Sequence, residues 1–258
     1  MQEIEIAYRL LNDQIIPPRP IKLQIPGWGG IDHTHKNGSK PQPWHCIPFV
    51  EGNTYGLELI YAYEKEQRVT KKDGKIVFSN ELSFKCFADN HYGYQAGFDI
   101  QIPKDYVLRL EPHPKYFVDE TTPCVVPGHL QTEWWTRFFF IVFKAPFEGQ
   151  THIFRKGEPY GQILIVPQKI NYKIRKQTKK EEKKRANWSA LSLKNDQFIG
   201  EHSWQADNGI KFNDKYKVLQ RIYQKEGEVG LEKILNFPFK KSKMIRKLIR
   251  NNFIKKSS

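Results

Sequence analysis

The stretch TRFFFIVFKAPFEGQTHIFRKGEPYGQILIVPQ, residues 136–168, decides the fold class. Its first ten residues, TRFFFIVFKA (136–145), are almost continuously apolar. That run is too short to span a bilayer, and its Phe and Val content predicts a buried strand. GQTHIFRKG (149–157) and YGQILIVPQ (160–168) follow as two further strands. Upstream, YVLRLE (106–111), GFDIQI (97–102) and LSFKCFA (82–88) are short alternating runs. VTKKDGKIVF (69–78) predicts a hairpin turning at Asp73-Gly74. YGLELIYAYE (55–64) and IEIAYRLL (4–11) add two strands, the latter ended by Pro17, Pro18 and Pro20. Residues 26–45, PGWGGIDHTHKNGSKPQPWH, predict a long loop. Eight or more short strands with regular turn signals predict a mainly β fold, a sandwich or barrel.

The charge divides the 258-residue chain in two. The whole carries +14, but residues 169–258 balance at +15 and residues 1–168 at −1. Seven of the eight histidines lie in the first part. The expected organisation is a near-neutral β-rich core over 1–168 and a basic, partly helical extension over 169–258. Within the extension, residues 169–187 are the nearest thing to a linker, with eight basic residues from Lys173 to Arg185. Tyr216, Leu219, Ile222 and Tyr223 are spaced for one face of a helix over 214–235, capped by Asp214 and broken at Gly227 and Gly230. A second amphipathic stretch covers Met244, Ile245, Leu248 and Ile249.

Three well-separated cysteines form no CxxC pair and no disulfide framework. Acidic and basic residues throughout 1–25 do not fit a secretory signal, so a cytoplasmic location is expected. HExxH, GxSxG, GxGxxG and the P-loop pattern are all missing. Cys86, between Phe84 and Phe87, is expected as buried filling. Cys46 follows His45 directly, and strand neighbours point to opposite faces, so the pair makes no dyad.

The histidine density suggests a divalent metal, iron or zinc. His91, His113 and His129 are the candidate ligands, with His33 and His35 a further pair on one strand face. Glu133 and Asp99 lie close in sequence to aromatic residues, where an apolar setting raises a carboxyl pKa and suits general acid or base work. Arg137 and Arg155 suit an anionic substrate. Trp134, Trp135, Tyr92 and Tyr94 are the candidate pocket walls. Lys240, Lys241, Arg246, Lys247 and Arg250, with Trp188 and Trp204 upstream, are candidate nucleic-acid contacts. Each of these has a plain structural alternative: a hydrogen-bonded core histidine, a strand-end carboxylate, a solvated charged face.

PWHCIPFVEGNTYGLELIYAYE (43–64) and EWWTRFFFIVFKAPFEGQTHIFRKGEPYGQILIVP (133–167) resemble a family of uncharacterised bacterial and phage proteins of similar length. That resemblance implies no particular activity. AGFDI (96–100) and KGEPYGQILI (156–165), with Gly157 and Gln162, are similar to strands of the trimeric dUTPase and dCTP deaminase group. This second resemblance implies a β-clip or jelly-roll architecture. The group's Arg-Ser phosphate motif has no counterpart between Ile100 and Trp134, its water-activating aspartate is replaced around Thr132-Glu133-Trp134, and its Gly-rich C-terminal arm is missing. No catalytic role carries over.

Two functional classes follow. One is a β-rich protein that binds a small polar molecule, or acts on it with a metal. The other is a nucleic-acid-binding or accessory assembly protein that uses the basic extension. A homo-oligomer is compatible with either.

Overall fold

The computed structural model describes residues 3–22, 47–80, 83–117, 119–194, 203–205, 211–213 and 215–236. The chain opens with β1 (Ala7–Leu10), β2 (Arg19–Pro20), a short helix α1 (Ile47–Asn53) and β3 (Leu57–Ile60). The hairpin β4 (Gln67–Lys72) and β5 (Lys75–Phe78) follows, then β6 (Phe84–Ala88), β7 (His91–Gln95), β8 (Phe98–Gln101) and β9 (Tyr106–Glu111). A 3-10 turn at Pro114–Phe117 leads to β10 (Cys124–Val125), β11 (Gly128–Leu130), β12 (Phe140–Lys144), β13 (Thr151–Phe154) and β14 (Pro159–Pro167). The C-terminal part contains α2 (Lys179–Lys194), β15 (Ser203–Gln205), β16 (Lys211–Asn213) and α3 (Lys215–Leu235). The protein is mainly β, built of several antiparallel sheets, with helices toward the C-terminus.

The described residues fall into two compact units. One contains most of the first 172 residues, and the other contains α2, β15, β16 and α3.

In the first unit, sheet order is β11-β9-β14-β3-β2, β10-β12-β7-β6, β13-β4-β5 and β1-β8. The β4–β5 hairpin turns where the sequence predicts. Asp73 (φ 52°) and Gly74 (φ 72°) both take the left-handed conformation that a two-residue turn of this kind requires. The apolar run 136–145 is not buried on both sides. Ile141 and Phe143 face the core, while Phe140 and Val142 point outward, because β12 lies in an antiparallel sheet with only one covered face. Phe140 covers Gly93 of the paired strand; a Cβ there would fall 2.0 Å from its ring, so the glycine makes room for the aromatic. Cys86 is exposed rather than buried: β6 is an edge strand and its register shifts between Cys86 and Ala88.

The core is aromatic, and Phe154 is its hub. Its ring centroid lies 4.9 Å from Phe84, 5.4 Å from Phe143 and 5.7 Å from Tyr61. Tyr160, Tyr94 and Tyr92 follow at 5.9, 6.0 and 6.3 Å. Phe154 belongs to β13. Phe84, Tyr92, Tyr94 and Phe143 come from the four-stranded sheet, while Tyr160 lies on β14 and Tyr61 directly follows β3. One side chain of the three-stranded sheet therefore touches rings from two other sheets. Tyr92 and Tyr94, expected as pocket walls, are almost wholly buried in this cluster instead, because their strand positions face the core.

In the second unit, helix begins inside the segment 169–187 that resembles a linker. Thr178 and Glu181 form a capping box: the Glu181 carboxylate accepts from the Thr178 backbone N–H at 2.7 Å, and the Thr178 hydroxyl accepts from the Glu181 N–H at 3.3 Å. The Arg175 guanidinium and the Thr178 donors hold Glu181 down to about 2. Lys184 of α2 pairs with Glu228 of α3 at 2.7 Å. Gly227 (φ 63°, ψ −153°) kinks α3, as its sequence predicts, whereas Gly230 stays helical and buried. The buried positions of α3 include Ile222 and Leu235, while Tyr216 and Tyr223 are exposed. Asp214 lies outside the described residues. No helix among the described residues is long and apolar enough to cross a membrane.

Phe154→Ala is expected to cost about 3–5 kcal/mol of unfolding free energy, the range for deleting a buried aromatic ring. Phe154→Leu is expected to cost less than half of that. Urea denaturation of the three proteins compares them; a loss below about 1 kcal/mol for Phe154→Ala would contradict its position at the junction of sheets.

Candidate functional site

Aromatic and aliphatic side chains converge on a groove of about 610 Å³ beside the segment 131–140. Leu11, Leu130, Trp135, Phe138, Phe139 and Phe140 line it, with Gln95 and Arg137 as its polar groups. The residues come from four places in the chain. Leu11 follows β1, Gln95 ends β7, Leu130 ends β11, and the rest precede or begin β12. Register holds them together: Gln95 lies directly opposite Phe140, and the Leu11 backbone N–H donates to the Gly97 carbonyl at 2.8 Å.

The tryptophan pair is fixed locally. Trp134 and Trp135 meet edge to face, with centroids 5.7 Å apart, and the Trp134 indole N–H donates to Gln131 Oε1 at 2.7 Å. The Arg137 guanidinium lies 5.7 Å from the Trp135 ring centroid. Arg9 braces the neighbouring turn. It pairs with Asp99 at 2.7 Å, donates to the Thr136 carbonyl and stacks over Phe138 at 4.9 Å. Thus Trp135 and Arg137 are brought together in the groove. Asp99 is occupied by Arg9, and Glu133 is exposed outside the groove lining.

The remaining sequence candidates lie elsewhere. His91 sits on β7 opposite Lys144, and His129 is exposed on β11 opposite Arg109. His113 is buried at the 3-10 turn. These three histidines do not assemble, and among the described residues no group of three or more His, Cys, Asp or Glu side chains stands ready to hold a metal ion. Arg155 is paired with Glu66 at 2.9 Å and lies 3.6 Å from Glu158. His33, His35, His45, Cys46, Lys240, Lys241, Arg246, Lys247 and Arg250 lie outside the described residues.

A polar row crosses the five-stranded sheet. Arg19, Glu58, Gln162 and Glu111 are successive cross-strand partners on β2, β3, β14 and β9 and so share one face. Arg19 pairs with Glu58 at 2.6 Å, and Gln162 donates to the Tyr55 carbonyl at 2.6 Å. His113 accepts from the Lys115 backbone N–H through Nδ1, which leaves the proton on Nε2, 3.6 Å from the Glu58 carboxylate. Burial works to raise the Glu58 carboxyl, but His113 and Arg19 outweigh it and hold it below the usual range. The row ties the short edge strand β2 to the sheet.

Sequence reasoning missed Leu11, Gln95 and Leu130 as groove residues and passed over His152. His152 lies on β13 and is 5% exposed, with its Nδ1 2.9 Å from the Tyr92 hydroxyl. No spacing rule marks these positions, because each reaches its neighbours through sheet pairing.

No family model matches the chain, and no curated protein matches it. Among solved structures, the chain is similar to a dUTPase from phage phi11 of S. aureus, with 14% identity and a TM-score of 0.37, over 68% of this chain and 97% of that one. It is also similar to the Staphylococcus bacteriophage 80alpha dUTPase at 14% identity and a TM-score of 0.38, over 68% of this chain and 96% of that one. The EIAV dUTPase gives 11% identity and a TM-score of 0.35, over 68% of this chain and 98% of that one.

Burial pulls the His152 imidazole down to about 4 from its ordinary value of 6.5. Between those pH values the unfolded chain binds a proton that the folded chain refuses. The His152 contribution is therefore complete above pH 6.5 and is lost as pH falls toward 4, a difference of up to roughly 3 kcal/mol. The Glu58 contribution runs in the same direction at lower pH: it is present above 4.5 and lost as pH falls below that. Urea unfolding at a series of pH values is expected to show a slope between pH 6.5 and 4 that His152→Phe flattens. An unchanged slope would assign it to other groups.

Proposed function

We propose that the protein binds a small molecule with a flat apolar body and an anionic group, held in the groove beside Trp135 with Arg137 as the charge anchor. One observation carries this reading. The first 172 residues contain six arginines, and five have a carboxylate partner: Arg9 with Asp99, Arg19 with Glu58, Arg68 and Arg155 with Glu66, and Arg109 with Glu111. Arg137 has none among the described residues, and it stands at an aromatic groove. An unpaired guanidinium on an apolar wall favours an anionic ligand, which it binds through paired N–H donors. The volume and the mostly apolar lining with two polar groups suit a small-molecule site. The Gln95 amide adds a group able to orient the ligand.

The test uses 2-naphthoate and its neutral amide, 2-naphthamide, as probes of the full chain by calorimetry. Naphthoate is expected to bind about tenfold more tightly than the amide, the worth of one charge-assisted contact. Arg137→Met is expected to erase that difference, and Trp135→Ala to weaken both probes. Equal affinity for the two probes in the unaltered protein would overturn the reading.

A second reading, nucleic-acid binding, is favoured by α2. Lys179, Lys180, Lys183 and Arg185 are exposed along it, while Glu181 is taken by Arg175. Trp188, on the same helix, adds an aromatic ring beside these cations, with Lys184, the partner of Glu228, 5.2 Å from its centroid. Binding of a single-stranded oligonucleotide is expected to weaken steeply with salt through counterion release, and to fall about tenfold or more when those four residues are changed to Gln. Affinity that ignores salt, or survives the fourfold change, would dismiss it.

A further inference from the structure

A second cavity, of about 250 Å³, lies in the β-rich unit apart from the groove. Its wall includes Tyr116, Glu120, Cys124, Lys144, Gln150 and His152. None of these lines the Trp135 groove. The two places share β12 but use different residues of it: Phe140 at its start and Lys144 at its end.

We propose that this cavity binds a small oxyanion, the carboxylate or phosphate group of a small molecule. His152 lines the cavity from β13. Its side chain is 5% exposed, and Nδ1 is the hydrogen-bond partner of the Tyr92 hydroxyl at 2.9 Å. The Tyr92 side chain is enclosed in the core, and no other acceptor for its hydroxyl stands among the described residues. The hydroxyl therefore donates its one proton to Nδ1, which places the imidazole proton on Nε2. That N–H is the ring's remaining polar group, on a buried side chain that lines the cavity. Placed in the cavity wall, this N–H is suited to an occupant that supplies an oxygen acceptor.

Lys144 supplies the charge. It lies directly opposite Cys124 across the β10–β12 pair, and its ammonium group sits 4.9 Å from the Phe147 ring centroid. It forms no ion pair among the described residues, so its charge is available at the cavity mouth. The Gln150 amide adds a donor, and the Tyr116 hydroxyl is the hydrogen-bond partner of the Cys124 thiol. The single acid of the wall, Glu120, is exposed at the rim. One ammonium and neutral donors around a small space select an oxygen-rich anion over a cation.

Cys124 provides the readout. It is partly exposed in the cavity wall, while Cys86 is exposed on β6 outside it and serves as the internal control. The full-length protein is treated with iodoacetamide in the presence of acetate or inorganic phosphate, and each cysteine is followed by peptide mass spectrometry. An occupant slows alkylation of Cys124 by mass action, about tenfold at ten times its Kd, and leaves Cys86 unchanged. Protection by acetate alone identifies a carboxylate site, and protection by phosphate alone a phosphate site. Lys144→Met is expected to abolish protection, while Arg137→Met is expected to preserve it, which separates this site from the groove. If neither anion slows Cys124, or if protection survives Lys144→Met, the proposal is overturned.

Discussion

The packing of six aromatic rings around Phe154 is the contact on which the β-rich unit depends. Each sheet taken alone is small, with two to five strands, and presents one apolar face that must be covered. Here the cover comes from the other sheets, and Phe154 is where three of them meet. The ring geometry is tilted or edge-to-face at every one of its contacts, the arrangement favoured by aromatic quadrupoles. Tyr92 extends the cluster into polar chemistry: its ring stacks on Phe143 at 5.1 Å while its hydroxyl reaches His152. The core therefore sets the orientation of a buried imidazole, and the second cavity inherits that orientation.

The elements legible in the sequence are those whose cause is local. Asp73-Gly74 specifies its hairpin because the turn needs two left-handed residues in succession. Gly227 specifies the kink in α3 because its backbone conformation is closed to most other residues. The Thr178–Glu181 box is equally local, although the dense charge of 173–185 resembles linker sequence and conceals it. β12 shows where local reading stops. Six apolar residues in a row, Phe138 to Phe143, are compatible with burial on both faces, and only the sheet's neighbours decide that Phe140 faces outward over Gly93. Cys86 illustrates the same limit, since its exposure follows from the edge position and shifted register of β6.

The candidate site divides along the same line. Trp134, Trp135 and Arg137 are close in sequence, and the structure keeps them close. Leu130 is also near in sequence, at the end of β11, but Leu11 and Gln95 arrive from β1 and β7, tens of residues away, through register that no spacing rule encodes. Aromatic density near 92–98 suggests a pocket wall by proximity in sequence, but alternation sends Tyr92 and Tyr94 inward to the core. Histidine density points toward a metal by count. Pairing then separates His91, His113 and His129 onto different elements.

The charge balance of the β-rich unit gains meaning once its pairs are placed. A net charge near zero can arise from scattered, solvated charges or from local neutralisation, and composition does not distinguish the two. Here five of the six arginines sit against a carboxylate, Arg68 and Arg155 sharing Glu66 and Arg19 meeting the largely buried Glu58. Exposed pairs of this kind add little stability, typically under about 1 kcal/mol each. Their effect is to cancel the field of the paired arginines. Other cations of the unit have no ion pair among the described residues, and two of these, Arg137 and Lys144, stand at concave sites. A concave, weakly polarisable wall focuses the field of a single charge far more than an open surface does. A unit that is neutral as a whole can therefore be selectively attractive to anions at two points.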